Sequence, residues 1–461
     1  MPKFLRTLPE RGFRRRARAV AVLFCAVCLG LAVRLFFLQV RTDGFYADRA
    51  QGQQLRDTVV PADRGRIYSA DGLLLAANSS CWTLRASPRE MPEEKLTLAA
   101  HGLAEILALD EAALLEKFSD RRSNDCLLRY RVDRAAADAV RDFCEENSIT
   151  GIRINQDSKR WYPQGAFLAS VLGFTNVDNA GVAGLELKYD DLLTGENGVV
   201  LTAVNAWGYT LEQSYETERF PTEGDGLRLT IDANIQHYLE NALGYAVKEH
   251  HVAARAVGIV MDVNTGGIVA MASYPNYDPG DFSTIYTEGL QAELDAALAE
   301  IQQNRSTYET EEAYNQALAN ARATIQFKQW RNKCYQDTYE PGSTFKPITL
   351  ATALEEGVVN MNTTFTCTGS IHVEGWGKPI NCSKRAGHGT QTLKVATGNS
   401  CNPAFVTMGL KIGTEAYYRY LKSFGLMETT GIDLPAEAEG IFANEDSFNS
   451  NVVSLAAYSF G

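Results

Sequence analysis

Tyr339-Glu340-Pro341-Gly342-Ser343-Thr344-Phe345-Lys346-Pro347 carries the sharpest local signal in this chain of 461 residues. Pro341-Gly342 predicts a turn, and the apolar-rich run from Thr344 to Leu354 predicts a helix beginning at about Ser343. A much earlier start would bury Pro347 in the helix interior, at a cost of about 3 kcal/mol. Ser343 then lies at a helix N-terminus, and Lys346, three residues on, shares its face. A serine hydroxyl is a weak nucleophile until a base takes its proton, and a neutral lysine one turn away can be that base. Burial and the positive end of the helix dipole both disfavour the ammonium form, while backbone N–H groups at the same end can stabilise an oxyanion. The spacing alone has low specificity, because a capping serine followed by a solvated lysine gives the same pattern.

Fifty-seven residues after Ser343 stands Gly398-Asn399-Ser400-Cys401-Asn402-Pro403. A second serine can pass a proton between Lys346 and a leaving group, and the amide of Asn402 can hold both Lys346 and a substrate carbonyl. A self-stabilised Asn/Pro loop is the plain alternative. Ser447-Phe448-Asn449 repeats the S-x-N pattern in a polar loop 104 residues from Ser343 and ranks below it.

Outward from these motifs, residues 41 to about 225 alternate short strand-like and helix-like pieces. Arg64-Gly65-Arg66-Ile67-Tyr68 reads as a strand entering the Asp71-Gly72 turn, and residues 94–108 and 133–146 have helical apolar spacing. Arg160-Trp161-Tyr162-Pro163 and the run 181–198 read as turn-rich. No catalytic constellation appears in this half, so a pedestal or interaction domain is expected. After Gly224-Asp225-Gly226, residues 227–232 alternate like a strand and a helix is expected from Ala233 to about Val247. Val257–Met261 and Ile268–Ala272 flank Asn264-Thr265-Gly266-Gly267 as a hairpin. The fold class is therefore mixed α/β, or α+β, with a second domain from residue 226 to 461. Between about 283 and 330, Leu290, Leu294, Leu298 and Ile301 form one helical stripe, and Tyr314, Leu318, Ala321 and Ile325 another. These predict a helical hairpin inserted into the second domain, packed on its own domain in preference to a coiled-coil partner.

The first eighteen residues carry a local charge of +6 in a protein whose net charge is −12. Ala19 to Val40 then spans twenty-two residues broken only by Arg34, about the length a helix needs to cross a bilayer core of roughly 30 Å. The expected order is a cytoplasmic basic tail (1–18), a single transmembrane helix (19–40) and an extracytoplasmic bulk, with Arg34 snorkelling to the outer interface. A cleaved signal peptide shares the basic start, but no small-x-small cleavage site follows and the apolar stretch is long for a signal. The acidic remainder, without a basic stripe interleaved with aromatics, excludes nucleic acid as an expected partner. Hydrophobic content of 45% and charged content of 22% exclude disorder as the default.

Of the nine cysteines, Cys25 and Cys28 fall in the anchor and read as small hydrophobes. Cys81, Cys126, Cys144, Cys334 and Cys401 are scattered without metal-ligand spacing, which argues against a zinc site. Cys367 and Cys382 bracket a Gly-rich stretch and are compatible with either a disulfide or a free buried pair.

The segments Tyr339 to Lys346 and Gly398 to Phe405 together resemble the class B, monofunctional penicillin-binding proteins. Arg64 to Tyr68, Arg160 to Pro163, Gly184-Leu185-Glu186 and Thr430-Gly431-Ile432-Asp433-Leu434-Pro435 carry the same likeness, closest to division-type or spore-cortex-type enzymes. The resemblance implies an elongated pedestal, or dimerisation-type, domain over 41–225 and a serine β-lactamase-like transpeptidase domain over 226–461. It implies a D,D-transpeptidase that cross-links peptidoglycan through an acyl-enzyme on D-Ala-D-Ala stem peptides and is acylated by β-lactams. Ser343 would be the nucleophile, Lys346 the base, Ser400 the proton relay and Asn402 the positioning amide, with no metal or organic cofactor required. Implied partners are stem peptides, β-lactams, the cell membrane, and a cell-wall glycosyltransferase or division or elongation proteins met through the pedestal.

The third family motif, K-[ST]-G, occurs nowhere after Asn402. The resemblance therefore implies a transpeptidase domain lacking its C-terminal part, inactive as it stands. Two other readings stay open. A β-lactamase would turn a penicillin adduct over quickly, and a non-catalytic scaffold or β-lactam sensor would show no Ser343-dependent labelling.

Overall fold

The computed structural model describes residues 10–36, 55–203, 217–252 and 256–461. Residues 1–9 of the basic tail, 37–40 at the outer end of the expected span, and 41–54 at the start of the expected pedestal lie outside them. The chain divides into two compact units, Met1–Asp63 with Gly195–Glu223, and Arg64–Thr194 with Gly224–Gly461.

The first unit contains the helix Glu10–Phe36. Its Arg15–Phe36 portion has a mean hydropathy of 2.5 and is long and apolar enough to cross a membrane. The same unit contains an antiparallel three-stranded sheet in which Gly198–Ala203 lies between Leu55–Val60 and Thr217–Arg219.

In the second unit the strand Leu74–Ala86 organises the first half. It pairs with Ile152–Trp161 over ten successive register positions and with Cys126–Val132 on its other side. The β-ladder carries Arg160 and Trp161 inside a strand, where turn chemistry alone suggested a bend, because Ala77 and Asn78 continue the pairing to the end. Helices Leu96–Leu107 and Arg134–Glu146 match their apolar spacing, and Leu84, Leu103, Phe118 and Val140 are buried together. Asp110 and Asp133 cap the helices that follow them by accepting from the backbone N–H groups of Ala112 and Ala136. The stretch 181–198, read as turns, holds two short helices, Gly184–Lys188 and Asp190–Leu193.

Ile67–Tyr68 joins this first half to the second by pairing in parallel with Leu227–Arg228. Only those two residues of the 227–232 alternation remain strand, since Asp232 already caps the helix Ala233–Glu249 through Asn234 and Ile235. A Cβ on Gly65 would lie 1.8 Å from the Asp225 carbonyl oxygen, so this close crossing requires glycine.

Ala256–Met261 and Ile268–Tyr274 form the expected hairpin. Glu288–Gln303 and Glu311–Trp330 are the two helices read from the stripes, with Leu294 and Ile325 buried. One core cluster gathers around Ile67, Phe174 and Tyr277, another around Phe365, Leu393, Phe405 and Met408, and a third around Tyr417, Leu421 and Phe448.

Candidate active site

The serine motif begins with Gly342 at φ +59°, a backbone state that glycine adopts without strain. Nothing lies within 4 Å of a Cβ added there, so the demand is conformational. Gly342–Phe345 then forms a 3-10 turn, and the α-helix runs Lys346–Glu355 with Pro347 in its first turn. The α-helix therefore starts three residues later than the sequence suggests. The proline needs no backbone donor at that position, and the tighter turn absorbs the residues before it. A 3-10 turn also eclipses positions i and i+3, which sets Ser343 directly beside Lys346.

Lys346 is buried, with 3% of its surface exposed, while Ser343 faces solvent. The Lys346 amine lies 2.9 Å from Ser343 Oγ, 2.9 Å from Ser400 Oγ, 3.0 Å from the Ser400 carbonyl oxygen and 2.7 Å from Asn402 Oδ1. Two of these partners, the carbonyl and the amide oxygen, can only accept. They engage two N–H bonds of the amine, and in its neutral form the remaining lone pair faces the two serine hydroxyls. Burial lowers the pKa of Lys346 from its ordinary lysine value, with the Cys382 and Cys401 side chains acting in the opposite sense. The Phe405 ring, 5.4 Å from the amine, closes another side.

Ser400 sits at φ +49°, in the left-handed region where a serine carries strain, just before the helix Asn402–Ile412. That backbone bend lets one residue present both its carbonyl and its hydroxyl to Lys346. Asn402 Nδ2 donates to the Asn381 carbonyl at 3.0 Å, fixing which end of the amide meets the lysine. Asn381 was not singled out in the sequence, because nothing in its local context marks it.

Ser343, Lys346, Ser400 and Asn402 are thus one hydrogen-bonded group. Ser447-Phe448-Asn449 is placed elsewhere: Asn444 caps the Ser447 N–H, Phe448 is buried beside Tyr417 and Tyr418, and the Asn449 carbonyl accepts from Thr414. A cysteine cluster lies next to the site. Cys367, Cys382, His388 and Cys401 bring their side-chain donor atoms within 4.8 Å of one another. The fold therefore joins Cys401, which the sequence set aside as a metal ligand, to Cys367 and Cys382, which it left as a disulfide or a free buried pair, and to His388, which it did not single out.

A second polar assembly lies at the junction of the two halves. Glu186, fully buried, accepts from Arg64 Nε through Oε2 and from Arg160 Nε through Oε1, each at 2.7 Å. Arg64 also donates to the Glu186 carbonyl, Asp190, Thr194 and the Asn179 carbonyl. Three separate stretches of the resemblance meet in this one network.

Known protein families match both halves of the chain. Residues 59–229 match the penicillin-binding protein dimerisation domain, and residues 256–461 match the penicillin-binding protein transpeptidase domain. The chain belongs to the class B penicillin-binding proteins. It is 31% identical over 431 residues to stage V sporulation protein D of Bacillus subtilis, covering 93% of this chain and 59% of that protein. It is 26% identical over 450 residues to the peptidoglycan D,D-transpeptidase MrdA of Escherichia coli, covering 93% of this chain and 65% of that protein. Each of these two relatives is thus longer than the part this chain matches. Among solved structures, penicillin-binding protein 2X of Streptococcus thermophilus aligns with a TM-score of 0.60 at 22% identity, over 88% of this chain and 56% of that one. PBP2 of Helicobacter pylori in complex with MreC aligns with a TM-score of 0.64 at 21% identity, over 88% and 73%. At that identity the structural likeness concerns the penicillin-binding protein fold.

Proposed function

We propose that the whole protein is a serine D,D-transpeptidase that cross-links peptidoglycan stem peptides ending in D-Ala-D-Ala. The observation that supports it is the convergence of two serine oxygens, one carbonyl and one amide oxygen on the buried amine of Lys346. Lys346 takes the hydroxyl proton of Ser343 as Oγ attacks the penultimate D-Ala carbonyl. The tetrahedral intermediate collapses to an ester on Ser343, and the departing D-Ala amine receives its proton through Ser400. An amino group of a neighbouring stem peptide then attacks the ester, forming the cross-linking amide and returning the proton to Ser343. Asn402 holds the lysine and presents its amide to the substrate. β-Lactams follow the first half of this course and stop at the ester.

Residues 1–40 anchor the protein in the cell membrane by a single span, with the N-terminus in the cytoplasm, on the strength of the basic flank before an apolar helix. The pedestal, residues 41–225, meets other cell-wall proteins, a reading supported by the Helicobacter pylori neighbour's being in complex with MreC. The test is labelling of the full-length protein in membranes by a fluorescent penicillin. A covalent adduct that disappears in Ser343→Ala is expected; equal labelling of both proteins, or of neither, would refute the reading.

A further inference from the structure

We propose that Cys367, Cys382, His388 and Cys401 form a structural zinc site that clamps the loop carrying Ser400 and Asn402. The site stands on its own geometry; its service to Ser400 and Asn402 rests on the catalytic reading above.

The four donor groups come from four separate places. Cys367 ends the strand Thr364–Cys367, Cys382 follows Ile380–Asn381, His388 precedes the strand Gly389–Thr392, and Cys401 caps the helix Asn402–Ile412. The three cysteines are at most 2% exposed. Cys382 Sγ lies 4.0 Å from Cys401 Sγ and 3.5 Å from His388 Nδ1. A tetrahedral zinc with Zn–S of about 2.3 Å and Zn–N of about 2.0 Å separates its ligands by roughly 3.5 to 3.8 Å along the edges. The cluster is thus close to the spacing a metal needs and far from the roughly 2.05 Å of a disulfide.

Two glycines build the cradle. Gly369 at φ +100° would place a Cβ 2.0 Å from the Arg385 carbonyl oxygen, and Gly387 at φ +81° would place one 2.3 Å from that of Cys367. The backbones before and after these turns cross as closely as chains allow, and the crossing brings Cys367 against His388. Backbone N–H groups of His388 and Gly369 face the Cys367 sulfur. Such donors are the outer partners that fix thiolate ligands around a metal.

Zinc suits this donor set because three soft thiolates and an imidazole in a closed, buried tetrahedron leave no position for substrate. Binding displaces the thiol protons to solvent and changes no oxidation state. A disulfide would use two of the three sulfurs and leave the third and the imidazole without purpose. The consequence for the neighbouring site is geometric. Cys401 stands between Ser400 and Asn402, and Cys382 follows Asn381, whose carbonyl holds the Asn402 amide.

The test is metal analysis of the full-length protein, purified without chelator under reducing conditions. About one zinc per chain is expected, released by a mercurial thiol reagent, and cobalt(II) in its place should give thiolate charge-transfer and tetrahedral absorption bands. Cys367→Ser and His388→Ala should each weaken zinc retention at least about tenfold, while Ser343→Ala keeps the full equivalent. Wild-type protein that takes up no zinc or cobalt, or that carries a Cys382–Cys401 disulfide when isolated without reductant, would overturn the site. Zinc bound without Ser343-dependent penicillin labelling would refute the catalytic reading and leave the metal site standing; labelling without zinc would do the reverse.

Discussion

Asn402 Oδ1 lies 2.7 Å from Lys346 Nζ while the other end of the same amide donates to the Asn381 carbonyl. The side chain is therefore held from behind and cannot turn its NH2 toward the lysine without losing a bond. Asn402→Asp should place a carboxylate against the amine, favour the ammonium form and slow penicillin acylation at neutral pH by at least about tenfold. Stopped-flow labelling across a pH series checks this, with the profile moving to higher pH than in the wild type.

Lys346 itself sets a pH dependence whose sign is fixed. Burial lowers its pKa from the ordinary lysine value of 10.5, so the neutral amine is more abundant near neutrality than for an exposed lysine. Acylation should rise with pH through the lowered pKa and level off above it. Lys346→Arg, which cannot give up its proton, should lose about 10² to 10⁴ of the acylation rate at every pH. The same shift makes the native state bind fewer protons than the unfolded chain. This contribution to stability should therefore grow as pH rises from the lowered value toward 10.5 and fall as pH drops through the lowered value.

Glu186 balances two buried guanidinium groups, and Glu186→Ala leaves both without their carboxylate. The expected loss is about 3 to 5 kcal/mol of stability, read from denaturant unfolding. Ser343 labelling per folded molecule should be unchanged, because the network supports the junction and does not touch the lysine.

The helical hairpin is seated by Leu294 and Ile325. Leu294→Ala and Ile325→Ala should each cost about 2 to 5 kcal/mol and speed proteolysis between residues 283 and 330. Penicillin labelling of the surviving native protein should stay at the wild-type rate.

What was legible in the sequence was what local spacing can express. Ser343 and Lys346 are one turn apart, and the Leu294 and Ile325 stripes repeat at helical intervals, so their geometry follows from the backbone alone. The start of the serine helix was displaced because a 3-10 turn and an α-helix share the same residue preferences, and only the observed backbone separates them. Arg160 was placed in a turn because its strand neighbours lie more than eighty residues upstream, where no local pattern reaches. The meeting of Arg64 with Glu186, 122 residues apart, and of Cys382 with Cys401, 19 apart, depends on chain crossings. Gly369 and Gly387, whose close neighbours could not be read from composition, set the further crossing that brings Cys367 against His388.

The strained backbone at Ser400 has a further meaning. A left-handed position disfavours a side chain other than glycine by about 1 to 2 kcal/mol, so glycine would suit the bend better and asparagine would be tolerated. The chain keeps serine there at a standing disadvantage to its own folding, and a stabilising design that relaxed this one torsion with glycine would relieve the strain while erasing the hydroxyl. Any attempt to harden this protein against heat therefore has one obvious local improvement that it should refuse.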